Sequence, residues 1–134
     1  MKGSEEMKQT NPEKLEKSKE ILKQLKEARG GSLLESHRKM GNDPYLAKMF
    51  LDTYENNKAD CVIPKKYKEL MVMAVGMATG TATTMNVHAG IAVKNGATID
   101  EICEVIRMIF FTCGVTKLLP ILEQLDLEAL ELED

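Results

Sequence analysis

Residues 64–90 read PKKYKELMVMAVGMATGTATTMNVHAG, and this stretch decides the fold of the 134-residue chain. It begins with a proline, and after Glu69 it contains no Asp, Glu, Lys or Arg. Apolar residues cover nearly every side of the helix it predicts, which is typical of a helix enclosed by protein. Gly80 allows a break before a second helix over residues 81–95, which ends in Asn-Gly, a favourable left-handed terminus. The stretch therefore predicts two consecutive buried helices.

The rest of the chain also predicts helices, because caps, prolines and glycines bound segments with helical spacing. Thr98 and Glu101 form a capping box at the start of one of them. Pro120 lies either near the start of the last helix or at a kink within it. The spans of these further helices are 12–29, 44–56, 98–113 and 116–126. No strand-like alternation is present, so we expect an all-α fold of about six helices.

Length and composition indicate one domain over residues 1–134, with amphipathic helices in residues 1–60 and an acidic tail at 127–134. A net charge of −3 and an aromatic content of 4% argue against a nucleic-acid partner. The longest apolar run is too short to span a bilayer, and the Lys/Glu-rich start lacks the pattern of a signal peptide. We therefore expect a soluble cytoplasmic protein without a membrane partner. Two helices that are apolar on most sides also favour a cyclic homo-oligomer.

Three polar residues interrupt this apolar region at helical spacing. Thr84 and His88 follow Thr81 by three and seven residues, which places the three side chains on one side of a helix. Glu69 precedes Thr81 by twelve residues. An acid and an imidazole beside a buried helix can transfer protons. In the simpler interpretation, Glu69 makes a charge pair at the helix edge and His88 is a hydrogen-bonded core residue.

The segments PKKYKELMVMAVGMATG and NGATIDEICEVIRMIFFTCG, with the His88 helix between them, resemble the core of a known family. This is the carboxymuconolactone decarboxylase and alkylhydroperoxidase (AhpD-like) family, and the resemblance covers residues 64–114. It implies an all-α AhpD-like domain whose subunits assemble as trimers or hexamers. It also implies active sites near the contacts between subunits.

The peroxidase branch of that family has a glutamate, then Cys-x-x-Cys, then a histidine four residues after the second cysteine. On this chain the pattern places the glutamate at Glu69 and the histidine at His88, but Thr81 and Thr84 occupy the cysteine positions. Peroxide reduction by this route needs a thiolate and a resolving thiol. A threonine hydroxyl cannot pass through sulfenic acid. The resemblance therefore excludes the family's redox mechanism at this position.

The decarboxylase branch operates without the cysteine pair. Its resemblance to this chain implies that His88 is the general acid/base and Glu69 its orienting or proton-relay carboxylate. Thr81 and Thr84 would line the site, and the substrate would be a small carboxylated or carbonyl compound, with no cofactor or metal. Two alternatives stay open: a family peroxidase that uses other thiols or is degenerate, and a non-catalytic oligomeric scaffold or small-ligand binder. The candidates for binding a substrate carboxylate are lysines brought close by an adjoining subunit: Lys65, Lys66 and Lys94.

The remaining reactive residues have simpler predicted roles. Cys103 and Cys113 lie ten residues apart on one helix, roughly 15 Å along its axis, so they cannot pair within it. Both are predicted to be small core residues. Cys61, before Pro64, is expected to be the most exposed thiol. His37 lies in a charged segment and is expected at the surface without a partner.

The replaced cysteine pair gives a first prediction. We expect no turnover by the family's dithiol mechanism in a thiol-dependent hydroperoxide assay, because no dithiol is present where that mechanism needs one. The assay is repeated on a variant in which Cys61, Cys103 and Cys113 are all replaced. Turnover that survives this replacement would refute the prediction.

Overall fold

A computed structural model describes residues 7–126, and its regular secondary structure is entirely helical over that range. The all-α prediction is therefore confirmed. The seven helices of the described range are α1 (Pro12–Ala28), α2 (Glu35–Met40), α3 (Pro44–Asn56), α4 (Lys65–Thr79), α5 (Ala82–Lys94), α6 (Ile99–Cys113) and α7 (Val115–Gln124). The chain divides into two compact units, one ending at Cys61 and the other beginning at Val62. The prediction of one domain over the whole chain stays a prediction.

The predicted helix boundaries agree with the structure to within a few residues. The short helix α2 was not predicted, since its six residues lack an apolar period of their own. Pro64 precedes α4 as its N-cap, and Pro120 lies inside α7, where it removes one backbone donor. The predicted acidic tail at 127–134 lies outside the described residues. No helix of the described range is long and apolar enough to cross a membrane.

In the first unit, α1 and α2 both pack against α3. Asn11 caps α1 by accepting hydrogen bonds from two backbone amides, and Asp43 caps α3 in the same way with one. The buried apolar side chains that join the helices are Leu25 from α1 and Ala47 and Leu51 from α3. This unit is small, so its buried apolar core contains few side chains.

The prediction that His37 lies at the surface without a partner is wrong. Its side chain is buried, and its Nδ1 atom accepts a hydrogen bond from the backbone amide of Leu34 at 3.0 Å. The ring also lies 5.2 Å from that of Phe50, between centroids. Burial and the nearby Arg29 charge both lower the pKa of His37, which favours the neutral ring that this contact requires.

In the second unit, α4 and α5 form a helical hairpin against which α6 and α7 pack. Gly80 ends α4 at a φ of 75°, a conformation that glycine adopts without strain. The amide of Gly80 then donates to the Met77 carbonyl, and that of Thr81 donates to the Gly76 carbonyl, as in a Schellman motif. This turn needs only two residues, so α4 and α5 are held side by side.

The core of the second unit draws on all four helices. Thr98 and Glu101 form the predicted capping box of α6, with backbone-to-side-chain distances of 2.9 and 3.1 Å. The fully or nearly fully buried side chains include Met73, Met77, Met85, Ile102 and Ile121.

Cys103 and Cys113 were both predicted to be core residues, and neither is fully buried. Cys61 is exposed, as expected, and Cys103 is half-buried. Cys113 is exposed and is not a core residue. It is the last residue of α6, so its side chain lies beyond the buried positions of that helix.

The first unit contains one testable packing defect. The Ser18 side chain is buried in α1, and its hydroxyl has no hydrogen-bond partner among the described residues. An unsatisfied buried hydroxyl destabilises the folded state. We expect Ser18→Ala to raise the free energy of unfolding by about 1 kcal/mol in urea denaturation. Ser36→Ala, at an exposed helical position, is the matched control. A Ser18→Ala variant no more stable than this control would contradict the prediction.

Candidate functional site

The candidate site contains a carboxylate and an imidazole in direct contact. The Oε2 atom of Glu69 forms a hydrogen bond with the Nδ1 atom of His88. The Glu69 side chain is 12% exposed and that of His88 is 29% exposed. The pair is therefore largely withdrawn from water but open on one side.

Nδ1 of His88 is the nitrogen that meets the carboxylate, and this determines what the ring can do. An ionised Glu69 can only accept, so Nδ1 carries the proton of the bond. In the neutral ring Nε2 then has a free lone pair, and in the charged ring it has a proton to donate. Among the described residues, no partner occupies Nε2.

The hairpin geometry brings these two residues together. Glu69 lies in the second turn of α4, and His88 lies in the middle of α5, nineteen residues later. The backbones of the two helices lie close together at Gly76, where a Cβ atom would lie 2.6 Å from the Met85 amide nitrogen. Gly76 lies two turns from Glu69 and Met85 lies one turn from His88, so the close contact and the pair share one side of the hairpin.

The two threonines do not join the pair through a described contact. Thr81 is the exposed N-cap residue of α5, and its hydroxyl lies 3.0 Å from that of Thr79 instead of capping the helix. Thr84 is half-buried, with its backbone against Gly76. That either threonine lines a site around His88 stays a prediction.

A cavity of about 90 Å³ opens between α4, α5 and α7. Gly80, Met85, Lys117 and Gln124 are among its lining residues, whereas Glu69 and His88 are not. The half-buried Lys117 places its ammonium group 3.4 Å from the position of a Cβ on Gly80. Lys117 was not identified from the sequence, because it follows α6 in the chain and only the packing of α7 brings it beside the hairpin turn.

The start of α4, and therefore Glu69, is tied to α6 by an ion pair. Lys66 Nζ lies 3.0 Å from Glu101 Oε2, and both side chains are about three-quarters buried. The Thr98 amide and then the Lys66 ammonium lower the pKa of Glu101, and the same ion pair raises the pKa of Lys66. Because Lys66 is committed to this contact, it is a poor candidate for binding a substrate carboxylate.

A second positioning contact involves Asn86, which also was not identified from the sequence. Its side chain donates to the Gln124 carbonyl at 2.9 Å and accepts from the Asp126 amide at 2.8 Å. The end of α7 is thereby fixed against α5, two residues from His88. A single asparagine within a helix gives no local signal for such a contact, since its partners lie about forty residues away.

The fold and this pair together define a small all-helical protein with a candidate acid–base site on a helical hairpin. Residues 44–126 match the model of the carboxymuconolactone decarboxylase family, and the chain belongs to this family. The match is wider than the resemblance over residues 64–114, because it also includes α3 and α7. Neither a curated protein nor a solved structure matches the chain.

The Lys66–Glu101 ion pair gives a prediction about acid stability. The pKa of Glu101 is lower in the folded state, so its contribution is complete above the ordinary value of 4.5 and is lost as pH falls through the folded value. We expect Glu101→Gln to lower the free energy of unfolding at neutral pH. We also expect its unfolding free energy to fall less than that of the unmodified protein as pH drops below 4.5.

Urea denaturation at a series of pH values measures both effects. Glu104→Gln, at an exposed position on the same helix, is the control. Identical acid profiles for Glu101→Gln and Glu104→Gln would show that the ion pair adds no pH-dependent stability.

Proposed function

We propose that this protein is a lyase that decarboxylates a small carboxylated lactone or a related carbonyl compound, with Glu69 and His88 as its acid–base pair. The observation that carries the proposal is the contact between Glu69 Oε2 and His88 Nδ1 in a half-enclosed position. Membership of the carboxymuconolactone decarboxylase family supports the substrate class.

The proposed reaction needs only a proton donor and an electron sink in the substrate. The bond between carbon and the carboxylate breaks, CO2 leaves, and the electron pair is delocalised into the substrate's own conjugated carbonyl. The proton on Nε2 of the His88 imidazolium then transfers to the carbanionic carbon. Glu69 stabilises the charged ring through Nδ1 and holds it in one orientation. A proton from water restores the imidazolium before the next turnover.

The energetics of the pair support a functional role over a structural one. A partly buried carboxylate costs free energy unless it is paired, and the pair then offsets that cost without a large surplus. Replacement of a buried ion pair by apolar residues of similar volume is often neutral or stabilising, so stability alone gives little reason for this pair.

Substrate binding requires a cation for the carboxylate. Lys65 and Lys94 are the candidates, where an adjoining subunit brings them close. Lys117 lines the cavity at the hairpin turn, which Glu69 and His88 do not line, so it fits a non-catalytic ligand site better than this one. Thr81 and Thr84 are proposed as polar lining of the site around Glu69 and His88.

We also propose that the protein functions as a homo-oligomer in the cytoplasm, as a trimer or hexamer. Tyr67, Met71 and Val75 recur at four-residue spacing along α4, and each side chain is about half exposed. Phe111 on α6 is 88% exposed. Large apolar side chains exposed on regular helices are typical of protein interfaces.

The function is tested by CO2 release from carboxymuconolactone and related unsaturated lactone acids. We expect His88→Gln to lower kcat/KM by about 10²- to 10⁴-fold, the usual contribution of a general acid. Glu69→Gln should lower kcat with a smaller effect on KM, because it acts through the ring. Thr83→Ala, at an exposed position on the same helix, is the control.

Two results would contradict the proposal. Undiminished turnover in His88→Gln would remove the proposed proton donor. Binding of the lactone acid without turnover in the unmodified protein would instead favour a non-catalytic small-ligand binder, an alternative supported by a described cavity that the pair does not line.

A further inference from the structure

We propose that Gly76 is the positioning residue of the Glu69–His88 pair, since its missing side chain sets the separation of α4 and α5 at which the two groups meet. The inference rests on the proposed function for its catalytic consequence. The structural part of the proposal concerns only the tautomer of His88, which is measured separately from turnover.

Gly76 is buried in the interior of α4, where a glycine lowers helix stability relative to alanine. The backbone of Gly76 does not have a positive φ, unlike that of Gly80, so its own conformation does not require glycine. The explanation lies across the helix interface. A Cβ at Gly76 would lie 2.6 Å from the Met85 nitrogen, 2.9 Å from its Cα and 3.1 Å from the Thr84 carbonyl carbon.

All three of those neighbours are backbone atoms of α5. A flexible side chain could turn away from an added methyl group, but backbone within a helix cannot. A residue larger than glycine would therefore push the two helices apart. The turn at Gly80 and Thr81 restrains one end of the hairpin, so the separation would grow from Gly76 towards the end that carries Glu69 and His88.

A separation of the two helices changes both the distance and the angle of the Glu69–His88 hydrogen bond, and either change weakens it. The remainder of each helix can stay folded while the bond is lost. Gly76 therefore acts on the Glu69–His88 pair through the spacing of the two helices.

The chain offers a matched control in Gly90. It also lies in a helix interior, within α5, but a Cβ added there meets no atom within 4 Å. Gly76→Ala and Gly90→Ala thus make the same chemical change, and both raise helix propensity. They differ in what the added Cβ meets: the backbone of α5 at position 76, and no atom within 4 Å at position 90.

The readout is the tautomer of His88, followed by ¹⁵N NMR of the imidazole nitrogens at a pH where the rings are neutral. The protein has two histidines, and the structure gives them opposite tautomers. Nδ1 of His88 faces a carboxylate and carries the proton, whereas Nδ1 of His37 accepts from the Leu34 amide, which places its proton on Nε2. His37 is therefore an internal reference for an unchanged fold.

We expect Gly76→Ala to shift His88 from the Nδ1–H form to a mixture rich in Nε2–H, while His37 keeps its tautomer. Gly90→Ala should leave both rings unchanged. In the lactone assay, Gly76→Ala should lower kcat/KM by about 10²-fold, as for a misplaced catalytic group, and Gly90→Ala should leave it unchanged.

The outcomes separate the two proposals. An unmodified protein that shows the Nδ1–H tautomer but no turnover would contradict the proposed function and leave the positioning role standing. A Gly76→Ala variant that keeps the Nδ1–H form of His88 overturns the positioning role. If Gly76→Ala does not fold, it is combined with Gly90→Ala to restore helix stability. Failure of the double variant to fold would also overturn the proposal, because Gly76 would then be needed for the fold as a whole.

Discussion

The close approach of two helix backbones at Gly76 is the constraint on which the second unit depends. Because no side chain separates α4 from α5 there, the two helices share one compact core with α6 and α7. The same spacing lets a glutamate on one helix reach a histidine on the other. Packing and the candidate chemistry thus depend on a single interhelical distance. The two-residue turn that ends at Thr81 fixes which residues of α4 and α5 lie opposite each other.

The sequence predicts the helices well because their ends are encoded locally. The Asn11 cap, the Thr98–Glu101 box and the Gly80 turn each act over four to six residues, and each occurs where the pattern indicates. His37 and Cys113 show the limit of this reasoning. Whether a residue in a charged segment is buried, or whether the end of an apolar helix is covered, depends on packing between helices, to which local patterns are insensitive.

The candidate site was less accessible to residue-level reasoning. Helical spacing places His88 on one side of α5 and Glu69 is the nearest preceding acid, but the family resemblance was needed to assign the two residues to one site. The contact joins residues nineteen positions apart and depends on Gly76. Because glycine has no side chain, its role in helix spacing gives no signal in the sequence. Lys117 and Asn86 were missed for the same reason, since their roles arise from helices that meet only in the folded unit.

The threonines limit which chemistry this pair can perform. A carboxylate–imidazole pair can serve a thiol by removing its proton, or it can act directly on a substrate. The first use requires a sulfur within reach, and the positions that would supply it hold hydroxyl groups of much lower acidity. Thr81 directs its hydroxyl to Thr79, so it is engaged in a structural contact. Proton transfer to a bound substrate, with His88 Nε2 as the donor atom, is then the use that we propose for the pair.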